Sequence, residues 1–156
     1  MGIKTATISD AKEMHRIHTS AVRTTCKKFY TEKQIGAWLE GRSPEGYNEG
    51  INKGDMFIAE EKGKIVGFGH AIPGKIVAVF VDPAFHGKGV GKLLLDHGLQ
   101  IALKGHQNIK AESTINAEGF YEKHGFVKVK KDSVTRRGIE IPIIVMEYSA
   151  TSPNSA

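Results

Sequence analysis

Ile76 to Val81 is an unbroken apolar run, Ile-Val-Ala-Val-Phe-Val, and within the next ten residues the chain passes three glycines set two apart, Gly87, Gly89 and Gly91. No other segment restricts the fold as strongly. A run that is apolar at every position reads as a strand covered on both faces, which requires a central strand with packing on each side. After the glycines, Val90, Leu94 and Ile101, with Leu93 and His97, recur at the spacing of a helix. A loop at the carboxyl end of a central strand is the usual ligand position in such sheets. Glycine lets a ligand approach the backbone closely. The first amides of the following helix lack intrahelical partners, and the helix dipole adds a positive bias. A phosphate or pyrophosphate suits that environment, and Lys88 and Lys92 add charge. Two better-known phosphate loops do not fit. Gly89 follows Gly87-Lys88 where a Walker loop needs Ser or Thr, and Lys92 stands where the dinucleotide fingerprint needs its last glycine.

The rest of the chain supplies a mixed sheet around that strand. Ile3 to Ile8 predicts a first strand, followed by a helix capped at Asp10 with Glu13 as the reciprocal residue and with Met14, Ile17, His18, Ala21 and Val22 at the spacing of one buried face. Thr31 and Gln34 mark a second helix, and Ser43-Pro44 a short third one with Tyr47 and Ile51 facing inward. Met56–Glu60 and Ile65–Ala71 form a hairpin around Glu61-Lys62-Gly63-Lys64. A short strand at Ile109–Glu112 and a short helix at Asn116–His124 come next. Phe126–Val129 and Ile139–Tyr148 close the fold as strands joined by a basic polar connection. The order is strand, helices, three strands, helix, strand, helix, two strands, an α/β arrangement with helices on the sheet faces. One domain over residues 1–149 is expected, with 150–156 as a flexible tail.

Composition excludes several classes. The chain of 156 residues carries 22 Lys and Arg against 17 Asp and Glu, a formal charge of +5. No apolar run approaches the roughly 20 residues that span a bilayer, and no apolar signal segment opens the chain, so a cytoplasmic protein without membrane contact is expected. The single cysteine, Cys26, has no disulfide partner and reads as packing. The seven histidines form no metal-ligand pattern. The basic residues Lys123, Lys128, Lys130, Lys131, Arg136 and Arg137 lack any nucleic-acid motif around them. They read as a solvated basic surface. Ile139 to Met146 is apolar enough to cross a dimer interface, so a homodimer through the last strand is compatible with the sequence.

Val81-Asp82-Pro83 followed by His86-Gly87-Lys88-Gly89-Val90-Gly91 resembles the acyl-CoA motif of the GCN5-related N-acetyltransferases, with His86 where Gln or Arg is usual. Asn116-Ala117-Glu118-Gly119-Phe120-Tyr121-Glu122-Lys123-His124-Gly125-Phe126 resembles that family's second conserved stretch. The resemblance runs from about Ile3 to Tyr148, and Val22-Arg23, Phe29-Tyr30, Gln34-Ile35 and Trp38 look like a bacterial subgroup of small acetyltransferases. It implies an acyl-CoA N-acyltransferase-like fold: a mixed, mostly antiparallel sheet flanked by helices and splayed between its two central strands. It implies acetyl-CoA as co-substrate, no metal, and a small-molecule or peptide amine as acceptor. It assigns the coenzyme to Phe80, Val81, His86, Gly87, Lys88, Gly89, Val90, Gly91, Lys92 and Asn116.

Acyl transfer from a thioester to an amine needs a donor at the carbonyl oxygen, a base for the amine and an acid for the leaving thiolate. The resemblance places the oxygen's donor among the backbone amides near Val79 or Phe80, and the acid at Tyr121. A phenol with pKa near 10 is protonated at neutral pH and can serve. Ile76 to Val81 offers no acidic side chain, so the base is sought elsewhere. Glu112, at the end of its strand, is the first choice, and His70 the alternative. His15 and His18 read as helix-surface or half-buried residues, whereas Tyr30 and Trp38 are candidates to line the acceptor pocket. A second function, an acyl-CoA-binding sensor without transfer activity, is motivated by His86 and by the missing acid on the central strand.

Overall fold

The apolar run becomes β4 (Lys75–Val81), the middle strand of a seven-stranded sheet in a computed structural model that describes residues 1–150. The strands before it are β1 (Gly2–Thr5), β2 (Met56–Glu61) and β3 (Lys64–Ile72), and those after it are β5 (Asn108–Ser113), β6 (Val127–Arg136) and β7 (Ile139–Ser149). Across the sheet they lie in the order β1-β2-β3-β4-β5-β7-β6. Every pairing is antiparallel except that of β4 with β5. This is the mixed, mostly antiparallel sheet expected. The expectation for residues 150–156 concerns a stretch of which 151–156 lie outside the described residues.

β4 and β5 pair only through Lys75 with Lys110 and Ile76 with Ala111, then diverge. On the other side, β4 stays paired with β3 up to Val81 opposite Gly67. Ala78 lies opposite His70 while Ile76 lies opposite Ala71, so Val77 is an extra residue, a bulge where the divergence begins. The splay has one consequence that the apolar run did not foretell. Ile76 is buried, but the other residues of β4 are only partly covered, because the strand flanks an opening.

One layer of the core packs α4 (Val90–Ala102) on the sheet, with Leu94 and Leu95 fully buried against Phe57, Val66 and Ile76. The opposite layer packs α1 (Ala11–Thr25), whose Met14 and Ile17 meet Ile58 and Phe68. Each such fully buried aliphatic side chain contributes roughly 1.5–3 kcal/mol. Alternation along β4 sends Val79 and Val81 to the α4 side and Phe80 to the α1 side. Among the described residues, no helix is long and apolar enough to cross a membrane.

Helix starts follow the sequence with one shift. Thr31 and Gln34 cap α2 (Glu32–Leu39) reciprocally, at 3.1 and 3.0 Å. Ser43-Pro44 opens a 3-10 turn that runs into α3 (Asn48–Asn52), and both Tyr47 and Ile51 are buried as expected. The cap expected at Asp10 lies three residues earlier. Thr7 is extended and donates its N–H to Asp10 Oδ2 at 2.8 Å, while Asp10 is already helical. Glu13 instead pairs with Arg16 at 3.0 Å.

The C-terminal hairpin differs more. The basic connection is itself strand: β6 runs through Arg136, and Arg137-Gly138, both with positive φ, makes the two-residue turn into β7. Polar Lys128–Arg136 has little strand propensity of its own, so pairing with apolar β7 decides its conformation. β7 therefore has β5 on one side and β6 on the other. It has no free edge, and the edge strand on that side of the sheet is β6.

Candidate active site

Asp82 begins the glycine loop and is buried. Its Oδ1 accepts the Ala84 N–H at 3.0 Å, and Oδ2 accepts from Arg16 Nη2 at 3.0 Å. Burial alone would raise the carboxyl pKa, but the Ala84 amide and the Arg16 guanidinium hold it below the usual range. The loop is thus moored to α1 where it leaves β4. Gly87 and Gly89 have φ of +77° and +82°, and Gly89 is the N-cap of α4. The first free amides of α4, those of Val90, Gly91 and Lys92, open toward the loop, while the Leu93 N–H returns to the Gly89 carbonyl at 3.1 Å. A Cβ on Gly91 would stand 3.0 Å from Phe120 Cε1. The absent side chain therefore lets α5 (Glu118–Lys123) pack against the start of α4, and the two motifs buttress each other.

His86, Gly87, Lys88 and Gly89 are exposed, as a ligand-binding loop must be. Lys88 Nζ lies 5.2 Å from the centre of the Phe85 ring, and Lys92 pairs with Asp96 at 2.6 Å. The Val90 side chain is buried in the core, so only its amide is available to a ligand. Left-handed glycines, free amides and exposed basic side chains fit the pyrophosphate of coenzyme A.

Beside the loop, the divergence of β4 from β5 opens a cavity of about 420 Å³. Asp82 N–H bonds the Val66 carbonyl across to β3. Backbone groups alternate between strand edges, so those of Phe80 also point to β3, and those of Val79 and Val81 point to the gap. Of the two amides considered for the thioester carbonyl, Val79 is the one facing the opening. The Phe80 side chain instead stacks on His18, with ring centres 4.2 Å apart.

Tyr121 and Glu112 line this one cavity. The Tyr121 ring sits between Phe120 and Phe126, and burial raises its hydroxyl pKa, so the phenol stays protonated. Among the described residues, its hydroxyl has no hydrogen-bond partner. Glu112 Oε1 accepts from Lys75 Nζ at 3.2 Å. His70 and Trp38 also line the cavity, and burial lowers the His70 pKa.

Three candidates stand elsewhere. Asn116 Oδ1 accepts the Cys26 thiol at 3.3 Å, which turns its side chain toward the end of α1 rather than the cavity lining. Burial pushes that thiol up to about 11, in keeping with a packing role. Tyr30 is a strut: its hydroxyl donates to the Pro142 carbonyl at 2.6 Å and accepts the Ile115 N–H at 3.0 Å. His15 does not line the cavity. Among the described residues, no three His, Cys, Asp or Glu side chains cluster as metal ligands would.

Helical spacing sets His18 on the inner face of α1, where it lies, but sequence reasoning missed its surroundings. His18 is buried, lines the cavity, and its Nδ1 lies 2.7 Å from the Tyr47 hydroxyl and 3.2 Å from Arg42 Nη1. A guanidinium only donates, so Nδ1 accepts and the neutral ring carries its proton on Nε2. Nε2 is buried and, among the described residues, has no partner. Burial first, then the charges of Arg42 and His15, push the His18 pKa down to about 3. The unfolded chain therefore binds a proton at His18 that the folded one refuses between about pH 6.5 and 3. This contribution to stability is complete above pH 6.5 and is lost as pH falls, by up to about 1.4 kcal/mol per unit. Urea denaturation between pH 6.5 and 4.5 should show a steeper loss in the parent protein than in His18→Gln. Equal slopes would contradict the burial argument.

A family model described as an acetyltransferase (GNAT) domain matches residues 26–149. The protein named uncharacterized N-acetyltransferase YafP of Escherichia coli K12 is 29% identical over 139 residues, covering 89% of each chain. Peptidyl-lysine N-acetyltransferase YjaB of Escherichia coli K12 is 35% identical over 71 residues, 46% of this chain and 48% of YjaB. The crystal structure of PaiA N-acetyltransferase from Thermoplasma acidophilum, in complex with coenzyme A, has the same fold. Its TM-score is 0.76 at 21% identity, covering 95% of this chain and 98% of that one.

Proposed function

The chain belongs to the GNAT acetyltransferase family, and we propose that it moves an acetyl group from acetyl-CoA to the primary amine of a small molecule or peptide, by direct attack while both are bound. The observation that carries this reading is the opening between β4 and β5. It brings the free backbone edge of β4, Tyr121 and Glu112 to one cavity beside the glycine loop. The description of YjaB as a peptidyl-lysine N-acetyltransferase supports a primary amine as acceptor.

Acetyl-CoA supplies an acetyl group already activated as a thioester. The protein's part is to bind, orient and move protons. The amides of Val90, Gly91 and Lys92, with His86 and Lys88 near them, hold the pyrophosphate at the start of α4. The Val79 amide donates to the carbonyl oxygen, where negative charge develops during attack. Such a donor costs no reorganisation, because the strand already holds it in place. Glu112 accepts the amine proton, directly or through a water, with its carboxylate positioned by Lys75. The Tyr121 hydroxyl protonates the departing sulfur.

An acceptor screen reading free coenzyme A thiol tests the proposal, using simple amines, amino acids, aminoglycosides and peptides. Thiol release that depends on one acceptor class, with matching N-acetylated product, is the expected result. Acetyl-CoA binding without thiol release across the panel would instead favour an acyl-CoA sensor.

A further inference from the structure

The cavity's charge is unbalanced. Arg42, Lys75 and Arg136 line it against a single carboxylate, Glu112. Lys75 and Glu112 neutralise each other at 3.2 Å. Among the described residues, neither Arg42 nor Arg136 meets a carboxylate, although their neighbour Arg137 pairs with Glu40 at 3.5 Å. That ion pair ties the β6–β7 turn to the end of α2, so two distant stretches of sequence share one rim. Both residues are exposed overall, although the Arg42 guanidinium reaches inward to the buried His18. Arg42 is also held in place, donating Nε to the Trp38 carbonyl at 3.3 Å and Nη1 to His18 at 3.2 Å. Arg136 donates Nη1 to the Thr135 carbonyl at 3.1 Å. All these partners are neutral, so they orient the two cations without compensating them.

An amine arrives as a cation, and a cavity with two uncompensated guanidinium groups repels it unless it brings an anion. Guanidinium also offers a planar fork that matches a carboxylate. We propose that the acceptor carries a carboxylate as well as the reacting amine. Arg42 and Arg136 hold the carboxylate at the rim while the amine enters the β4–β5 gap. This inference rests on the acetyl-transfer reading of the same cavity. It disfavours diamines and aminoglycosides and favours amino acids.

Binding can be tested apart from turnover, because Trp38 is the chain's one tryptophan and lines the cavity. Its fluorescence is titrated, with coenzyme A present, using the common amino acids, the primary amide of each, cadaverine and O-phosphoethanolamine. At least one amino acid is expected to bind about tenfold or more tightly than its amide. Arg42→Gln and Arg136→Gln are each expected to shrink that preference, and the double variant to bring the ratio close to one. Retention of the preference in the double variant would overturn the proposal. So would an amide equal to its acid for every amino acid, tighter binding of cadaverine, or no amino acid moving the signal at all. Tighter binding of O-phosphoethanolamine than of any amino acid would overturn the choice of carboxylate. Thiol release is followed on the same panel. A carboxylate preference without thiol release keeps the specificity and removes the acetyl-transfer reading.

Discussion

Tyr121→Phe lowers kcat by about a hundredfold and leaves the KM for acetyl-CoA within about a factor of two, if its hydroxyl protonates the leaving sulfur. General acids are worth about 10²–10⁴, and the low end applies because a thiolate is a far better leaving group than an alkoxide or an amide anion. The variant removes one oxygen and keeps the ring between Phe120 and Phe126, whose centres lie 5.4 and 5.1 Å away. Since that oxygen has no partner among the described residues, its loss strands no buried group there, and stability should hold. Burial raises the hydroxyl's pKa, so its proton remains available through mildly alkaline pH and no alkaline loss of activity should arise from it. Steady-state kinetics at saturating acceptor checks all of this. An unchanged kcat would return Tyr121 to a packing role.

Gly89→Ala raises the KM for acetyl-CoA by about tenfold or more, with kcat at saturation little changed. A Cβ at Gly89 would meet nothing within 4 Å, so no protein clash opposes it. The cost has two other sources. Gly89 sits at φ +82°, where a side chain costs about 1–2 kcal/mol, and the new methyl enters the space beside the free amides. Gly63→Ala is the control, because Gly63 has φ +77° in the β2–β3 turn and also has no neighbour within 4 Å. Both variants should lose similar stability, but only Gly89→Ala should weaken acetyl-CoA binding. Equal KM values in the two would mean that the loop's backbone does not hold the coenzyme.

How legible these features were depended on how local they are. The glycine loop is contiguous, and the strand before it and the helix after it announce themselves in apolar spacing. Its place at the end of the middle strand was therefore readable from the chain alone. The cavity was not, because it exists only where β4 and β5 part, and no spacing within either strand records where pairing stops. The same applies to Arg42 and Arg136, drawn from a loop after α2 and from the far end of a polar strand. Arg137-Gly138 was the available hint, since a glycine-containing pair between two strand-like runs marks a tight hairpin. Spacing with Met14, Ile17, Ala21 and Val22 puts His18 on the inner face of α1, but spacing does not say how deep on that face a histidine lies. Only the packing of Phe80 and Tyr47 around it decides the matter. Asn116 carries a contact that its motif does not record, since its Oδ1 accepts the Cys26 thiol from a stretch 90 residues earlier.

In the proposed reaction the acetyl group passes straight from the thioester to an amine held in the β4–β5 cavity. Carbon-13 NMR of a single turnover with carbonyl-labelled acetyl-CoA and an acceptor found by the thiol screen follows that atom directly. The thioester carbonyl signal should be replaced by one amide carbonyl signal on the acceptor, at a rate that Tyr121→Phe slows, while the intact mass of the protein stays constant. A thioester signal that persists in the bound state, or an acetyl group that appears on the protein before it reaches the acceptor, would contradict it.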